Sequence, residues 1–318
     1  MQNLIKVFFL LCCLVSQFHS QAEENEDKVF LVFGGKTGWI GQKIVALLQE
    51  QNYTVYAAES RLENREAIEN EIQQLQPHYI INCAGVTGTP NVDWCEDHQQ
   101  QTIRTNIIGM LNLADIAYLH GIHVTNFGTG CIYEYDAAHP IGSGKGFTEE
   151  DEPNFAGSFY SKTKIWLDKL LDSYPNVLNL RLRMPISSDF HPKNFITKIT
   201  CYQKIINIPN SMTILDDLLP LSIQMTLREL RGKYNFVNPG TISHNELLDL
   251  YKLYVDPTFT YTNFTVEEQD KILKARRSNN ELDTTKLLKE FPDLPPIQTS
   301  IHAVFKKMAA QRNANSSP

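Results

Sequence analysis

The stretch VFLVFGGKTGWIG, residues 29–41, decides the fold. Five apolar residues, Val29 to Phe33, stop abruptly at Gly34-Gly35. A continuous apolar run of that length, ended by glycine, is what a parallel strand buried on both faces requires. Beyond it, Ile40, Ile44 and Leu48 share one helical face. Between strand and helix stand Gly35, Lys36, Thr37, Gly38, Trp39, Ile40 and Gly41. Glycines so spaced permit a tight turn, close approach of a pyrophosphate and close helix-on-strand packing, with the helix amino terminus facing the phosphates. A glycine triplet alone also marks plain structural turns. Its strand–turn–helix context favours a dinucleotide site on these seven residues.

Outward from this turn the rhythm repeats. Strands are expected at Thr54–Ala58, Tyr79–Cys83, His123–Phe127 and Val177–Arg183, the last alternating apolar and polar residues. Helices are expected at Glu63–Gln74, Cys95–His120 and Ser158–Ser173. This βαβα order predicts an α/β fold, a Rossmann-type doubly wound parallel sheet. After Pro185 the pattern turns irregular, with short elements near Phe195–Tyr202, Ile214–Leu230 and His244–Tyr254 and a tail helix at Thr299–Gln311. The expected organisation is a cofactor domain over 28–185 and a smaller C-terminal substrate lobe formed mainly by 186–318. The site should lie between them, at the carboxyl ends of the strands. Glu59 and Arg61 follow the second strand. A carboxylate there suits the ribose hydroxyl of NAD, and an arginine suits the 2′-phosphate of NADP. Arg61 points to NADPH and leaves NADH open.

Composition narrows the partners. The chain has 318 residues and a net charge of −7, with no Lys/Arg-rich run, so nothing marks a nucleic-acid surface. The first 22 residues combine Lys6, the nine-residue apolar run Val7–Val15 and a small-residue end at Ser20-Gln21-Ala22. That is the order of a secretory signal peptide, and nine residues are too few to span a bilayer. Residues 23–27 form an acidic linker. The leader predicts entry into the secretory pathway or endoplasmic reticulum lumen; the competing reading is a leader without consequence on a cytoplasmic enzyme. Beyond the leader, Cys83, Cys95, Cys131 and Cys201 are widely scattered, with no CxxC spacing to hold a metal. The sequons at Asn52 and Asn263 are short enough to arise by chance.

Tyr160 and Lys164 stand four residues apart on one helical face. An ammonium near a phenol lowers the phenol's pKa. The phenol can then protonate the alkoxide formed when hydride reaches a ketone. Thr129, just past a strand end, is the expected hydroxyl partner. A YxxxK pair alone is more often plain helix surface; its position behind the glycine turn favours catalysis.

Longer strings carry a resemblance. The spacing GxxGxxG, the turn NCAG at 82–85 and NIIG at 106–109 resemble the extended short-chain dehydrogenases. GVTGTPNVDWCE (85–96), TGCIYEYD (129–136), MPISS (184–188), NFITKIT (194–200), IPNSMTIL (208–215) and RSNNE (277–281) resemble the nucleotide-rhamnose synthase/epimerase-reductase family. The likeness runs from about residue 29 to 295. It implies an NADPH-dependent enzyme that exchanges protons at C3 and C5 of a nucleotide-linked 4-keto-6-deoxyglucose and then reduces C4, giving the L-rhamnose nucleotide. It implies Cys131 as base and Lys198 as acid partner, beside Thr129, Tyr160 and Lys164. Asn82, Ala84 and Gly85 become cofactor contacts, and Thr87, Asn194 and Arg277 substrate contacts. UDP and dTDP sugars, and a homodimer, stay open. Simple dTDP-4-dehydrorhamnose reductases, which tend to carry an aspartate where this chain has Gly130, are less similar. A reductase-only enzyme remains the alternative, as does, from another class, a non-catalytic partner like the regulatory subunit of methionine adenosyltransferase. A sugar-nucleotide 4,6-dehydratase fits less well, since its usual Asp-Glu pair is replaced by Gly130-Cys131.

Overall fold

The apolar run Val29–Phe33 is strand β1, buried from Phe30 onward. In the computed structural model, which describes Asn25 and residues 27–316, it lies inside a six-stranded sheet. The expected leader, and all of the linker but Asn25 and Asp27, lie outside the described residues. The other strands are β2 (Thr54–Ala57), β3 (Tyr79–Asn82), β4 (His123–Thr129), β5 (Val177–Leu182) and β6 (Gly232–Asn235). Their order is β2-β1-β3-β4-β5-β6, parallel throughout. From β1 the chain winds outward to β2, then returns across β1 to β3. That reversal opens a crevice at the carboxyl ends of β1 and β3.

Helices cover both faces. On one, α1 (Trp39–Glu50) packs its Ile44 and Leu48 with Phe30 and Val32. On the other, α2 (Arg65–Leu75) sets Ile68 and Ile72 against Leu31 and Phe33. The expected helix over 95–120 is broken instead into α3 (Trp94–Asp97), α4 (Gln99–Ile103), a π-helical turn at Arg104–Gly109 and α5 (Met110–Leu119). The wider turn directs Asn106, only 1% exposed, at the backbone of Val86. Helix α6 (Phe159–Leu171) follows β4 and packs Leu167 and Leu171 with α5 residues.

The remaining helices are α7 (Phe195–Ile199), α8 (Leu215–Leu227), α9 (His244–Tyr254), α10 (Val266–Ile272), α11 (Thr285–Glu290) and α12 (Ile297–Ser316). Ile196, Leu247, Ile301 and Phe305 form a second core from α7, α9 and α12. The chain crosses the position expected for the lobe boundary: α8 packs beside α1, and β6 extends the sheet next to β5. Among the described residues no helix is long and apolar enough to cross a membrane.

Strand β5 departs from its alternating pattern, because all six of its residues are buried. Its polar positions are satisfied by a chain of side-chain bonds across the sheet. Asn82 donates to Asn126 (2.9 Å), Asn126 to Asn179 (2.8 Å), and Asn179 to Asp168 on α6 (2.8 Å). Arg181 closes the chain with two bonds to the Asp168 carboxylate, at 3.0 and 2.6 Å. Register makes this feasible: Asn82, Asn126 and Asn179 lie opposite one another on adjacent strands. Gly128 leaves room for it, since a Cβ there would lie 2.5 Å from Asn179 Oδ1.

Removing the middle amide leaves its neighbours' groups without partners in the core. Asn126→Ala should destabilise the fold by about 1–3 kcal/mol, the range for orphaned buried polar groups. Urea denaturation with unchanged slope and a lowered midpoint is the expected result.

Candidate active site

The glycine turn after β1 is closed by backbone bonds, Gly35 N–H to Val32 (3.2 Å) and Gly38 N–H to Gly34 (2.9 Å). Gly34, at φ +78°, makes the reversal, and the sequence reading left it outside the motif. Its signal was the doubled glycine. A Cβ on Gly38 would lie 2.6 Å from Gly34 O. Helix α1 then begins with no side chain capping it, leaving its amino terminus open to an anion. These features fit a dinucleotide pyrophosphate. Trp39 is buried; its Nε1 donates to Asp189 (3.1 Å) and its ring stacks on His191. It joins α1 to the segment after β5, while Ile40 is half-buried and Lys36 and Thr37 are exposed.

At the end of β2, Lys36 pairs with Glu59, while the Glu71 carboxylate accepts the N–H groups of Glu59 (2.8 Å) and Ser60 (3.1 Å). Arg61 is exposed, and its guanidinium has no partner among the described residues. Beyond β3, Asn82 Oδ1 accepts the Ala84 N–H (3.0 Å). Asn106 accepts from Val86 N–H (2.8 Å) and donates to its carbonyl (2.9 Å), fixing the turn that carries exposed Gly85 and Thr87. A Cβ on Gly85 would lie 3.8 Å from Lys164 Nζ. Gly85 therefore lies directly beside the Lys164 amine.

Thr129 ends β4 and Cys131 follows two residues later; the Cys131 N–H donates to Thr129 Oγ1 (3.1 Å). Helix α6 presents Tyr160 to the same point. Ser158 caps it through the Ser161 N–H (3.0 Å), and Glu96 accepts the Phe159 N–H (2.6 Å). Ser161 Oγ also donates to the Cys131 carbonyl (2.6 Å), tying the helix to the loop. Thr129, Cys131 and Tyr160 thus meet, with a Thr129–Tyr160 hydrogen bond. Neither Glu96 nor Ser161 stood out in the sequence reading, because each acts on backbone far away in the chain.

The electrostatics correct one expectation. Burial pushes the Tyr160 phenol well above its ordinary 10, and the Cys131 sulfur adds to the rise; the Thr129 hydrogen bond opposes it. Lys164 does not bring the phenol down, since its Nζ stands 5.9 Å from the ring centroid. Burial instead pulls the Lys164 ammonium down to about 8. Tyr160 is accordingly a protonated donor.

Arg183, just past β5, is 1% exposed and was not singled out from sequence. Its guanidinium reaches Ser278 Oγ (2.7 Å), Asn210 Oδ1 (2.5 Å), two backbone carbonyls and Cys131 Sγ (3.8 Å). Lys198 lies on α7, half-buried, its pKa lowered by burial and then by Lys193. Two expected substrate contacts are otherwise engaged. Asn194 is fully buried, donates to the Ser187 (2.7 Å) and Asp189 (2.6 Å) carbonyls, and caps α7 through the Ile196 N–H (3.2 Å). It holds the helix bearing Lys198. Arg277 is paired with Asp93 (2.8 Å) and the Ala275 carbonyl (2.6 Å). Cys83, Cys95, Cys131 and Cys201 are all free thiols.

The chain has clear relatives among known proteins. The model of the NAD-dependent epimerase/dehydratase family matches residues 31–204. A bifunctional dTDP-4-dehydrorhamnose 3,5-epimerase/dTDP-4-dehydrorhamnose reductase of Arabidopsis thaliana is 57% identical over 273 residues, 86% of this chain and 90% of that protein. A trifunctional UDP-glucose 4,6-dehydratase/UDP-4-keto-6-deoxy-D-glucose 3,5-epimerase/UDP-4-keto-L-rhamnose-reductase of the same plant is 55% identical over 287 residues. Those cover 90% of this chain but only 43% of that protein. The crystal structure of a UDP-rhamnose synthase from Acanthamoeba polyphaga mimivirus superposes with a TM-score of 0.84 at 43% identity, covering 88% of this chain and 99% of that one.

The buried amine generates a stability prediction. Lys164 falls from 10.5 unfolded to about 8 folded, so between those values the unfolded chain binds the extra proton and stability rises with pH. Below that window the buried ammonium is destabilising. Lys164→Met should raise the melting temperature of the cofactor-free protein at pH 7, with a gain that shrinks as pH climbs through the window. Calorimetry across that range checks it; a gain independent of pH would contradict it.

Proposed function

The chain belongs to the NAD-dependent epimerase/dehydratase family, and on that premise we propose that it is a bifunctional 3,5-epimerase/4-reductase. Its substrate is a UDP- or dTDP-linked 4-keto-6-deoxyglucose, its product the corresponding L-rhamnose nucleotide, and its reductant NADPH. The observation that carries the proposal is the meeting of a hydroxyl, a phenol and a thiol at one strand end, Thr129, Tyr160 and Cys131. The relatives named for both activities support it, the bifunctional plant enzyme over 90% of its length. The trifunctional enzymes' dehydratase step is not assigned here, since this chain spans less than half of their length.

Carbons beside the C4 ketone lose protons when the resulting enolate charge settles on the ketone oxygen. Tyr160 and Thr129 donate hydrogen bonds to that oxygen, where they count most as charge develops. Cys131 takes the proton from one face of the ring. Lys198, whose ammonium is loosened by burial, returns one from the other face. When bound, the reduced nicotinamide supplies C4 with a hydrogen and its electron pair. Tyr160, kept protonated by burial, then gives its proton to the C4 oxygen, and Lys164, one turn along the same helix, would bind the cofactor ribose. Asn82, Ala84 and Gly85 would contact the cofactor, and Thr87 on the same turn would contact the sugar. A reductase alone would leave Cys131 without a task, and a non-catalytic partner would leave Tyr160 and Lys164 without one.

Proton exchange needs no reductant, so the two half-reactions separate. In heavy water without NADPH, the wild type should place deuterium at C3 and C5 of the keto sugar. Cys131→Ser offers a hydroxyl ionising far above neutrality. It should lose exchange and rhamnose formation yet still reduce an already epimerised keto sugar. Tyr160→Phe should abolish reduction while keeping weakened exchange. Exchange at the wild-type rate by Cys131→Ser, followed by NMR, would leave a reductase with an ordinary cysteine.

NADPH is favoured by the unpartnered Arg61, with Lys36 also near the end of β2; a guanidinium binds a 2′-phosphate strongly. Arg61→Ala should raise KM for NADPH about tenfold, the loss of roughly one charge-assisted hydrogen bond, and leave that for NADH nearly unchanged. Equal effects on both cofactors would remove Arg61 from the pocket.

A further inference from the structure

Arg183 lies against the Cys131 sulfur, yet the proposed chemistry does not use it. Its side chain is among the largest that the fold buries completely. A guanidinium taken out of water is costly unless a counter-charge or a full set of hydrogen bonds offsets it. Four oxygens receive it, those of Ser278 (hydroxyl and carbonyl), Asn210 and Gly130, and all are neutral. Its Nε has no partner in the described structure. No carboxylate of the described residues lies within ion-pair distance. The remaining contact is the sulfur of Cys131 at 3.8 Å from Nη1.

The surroundings keep that charge unshared. Gly130 separates Thr129 from Cys131, and a Cβ there would lie 2.6 Å from Leu282 Cδ1 and 3.0 Å from Arg183 Cγ. A side chain at 130 would have to displace the Leu282 methyl and press on the arginine stem. Tyr135 also faces Arg183, and burial, then Glu281, pushes its phenol up to about 12. His244, at the start of α9, feels Arg183 too, and burial pulls its imidazole down to about 4. Tyr160 approaches Cys131 from α6 as a neutral phenol. Glu281, raised by burial and by Asp283, lies behind Tyr135. Among the described contacts of the Arg183 guanidinium, the Cys131 sulfur is the one that is not a neutral oxygen.

We propose that Arg183 is the positioning residue of the epimerase base, a buried cation held by four neutral acceptors so that the Cys131 sulfur is its counter-ion. This rests on the reading of Cys131 as base. The thiolate accepts a C–H proton, the electron pair left on carbon passes to the ketone oxygen, and the guanidinium then faces a neutral thiol. Return of the proton to solvent or sugar restores the pair. A guanidinium that merely cross-linked the loops would not care whether the sulfur were charged.

The test reads the sulfur directly, apart from any sugar chemistry. In a Cys201→Ser background, alkylation of Cys131 by iodoacetamide at pH 7 is followed by peptide mass spectrometry. Arg183→Gln should slow it about tenfold and Arg183→Lys should bring it back to within about threefold, as expected for one adjacent charge. Reduction of an already epimerised keto sugar shows that each variant is folded. A folded Arg183→Gln protein that alkylates at the wild-type rate overturns the pairing, whereas wild-type deuterium exchange by Cys131→Ser overturns the base reading alone. Should Arg183→Gln not fold, Cys131→Asp and Cys131→Asn decide with Arg183 intact. The carboxylate variant should melt higher than its amide isostere at pH 7 and lose that lead in acid. Equal or lower melting of Cys131→Asp overturns the proposal.

Discussion

The Asp168–Arg181 pair governs where the reactive side chains stand. Asp168 lies four residues beyond Lys164 and eight beyond Tyr160, so all three share one stripe of α6. The carboxylate is gripped twice by Arg181 of β5, and Asn179 holds it a third time. A helix pinned at that point cannot rotate or slide without tearing a buried ion pair, which is strongly destabilising once one partner is left alone. At the other end, Glu96 and Ser158 satisfy the first N–H groups, and Ser161 ties the helix to the Cys131 carbonyl. Tyr160 is thereby fixed relative to Thr129 and Cys131 from both directions.

The same chain of bonds reaches the cofactor side. Asn179, Asn126 and Asn82 pass side-chain hydrogen bonds from β5 to β3, and Asn82 sets the turn at Ala84. Asn106, swung inward by the π-helical turn, holds Val86 two residues further on. Polar groups occupy a sheet interior that aliphatic residues would stabilise more simply. Their presence makes the position of each strand end a matter of bond geometry rather than of oily contact, which a proton-transfer site requires. The site adds charges that burial opposes, Lys164 and Arg183 among them. Fold stability is surrendered where the chemistry needs charge.

Much of this was legible in the sequence, for a physical reason. The glycine turn, the apolar run before it and the Tyr160–Lys164 spacing are local patterns whose geometry follows from chain periodicity. The doubly wound parallel sheet follows from alternation of elements. What escaped depends on distance along the chain or on dielectric. Arg183 looked like any basic residue at a strand end, since its partners Asn210 and Ser278 come from remote segments. The π-helical turn leaves no compositional mark, so 95–120 read as one helix. Asn194 sat in a string resembling a substrate site, yet its short amide serves the backbone as a helix cap. The phenol of Tyr160 was expected to be lowered by Lys164, and burial decides the opposite.

The segment after β5 shows how the two parts of the site are kept in step. Leu182 pairs with Thr129, so the strand that carries Arg181 and leads into Arg183 also sets the level at which Thr129 ends. Six residues past Arg183, Asp189 accepts from Trp39 and pairs with Lys43 on α1 (2.6 Å). Its carbonyl, with that of Ser187, holds Asn194 and hence the start of the helix bearing Lys198. One short stretch therefore touches the helix that follows the phosphate turn, the guanidinium behind the thiol and the cap of the lysine helix. Movement of the lysine helix relative to α1 must strain Asp189, whose carboxylate holds Trp39 and Lys43 while its carbonyl holds Asn194. The acid and base proposed for the two faces of the sugar ring need a fixed separation, and this stretch is short enough to set it.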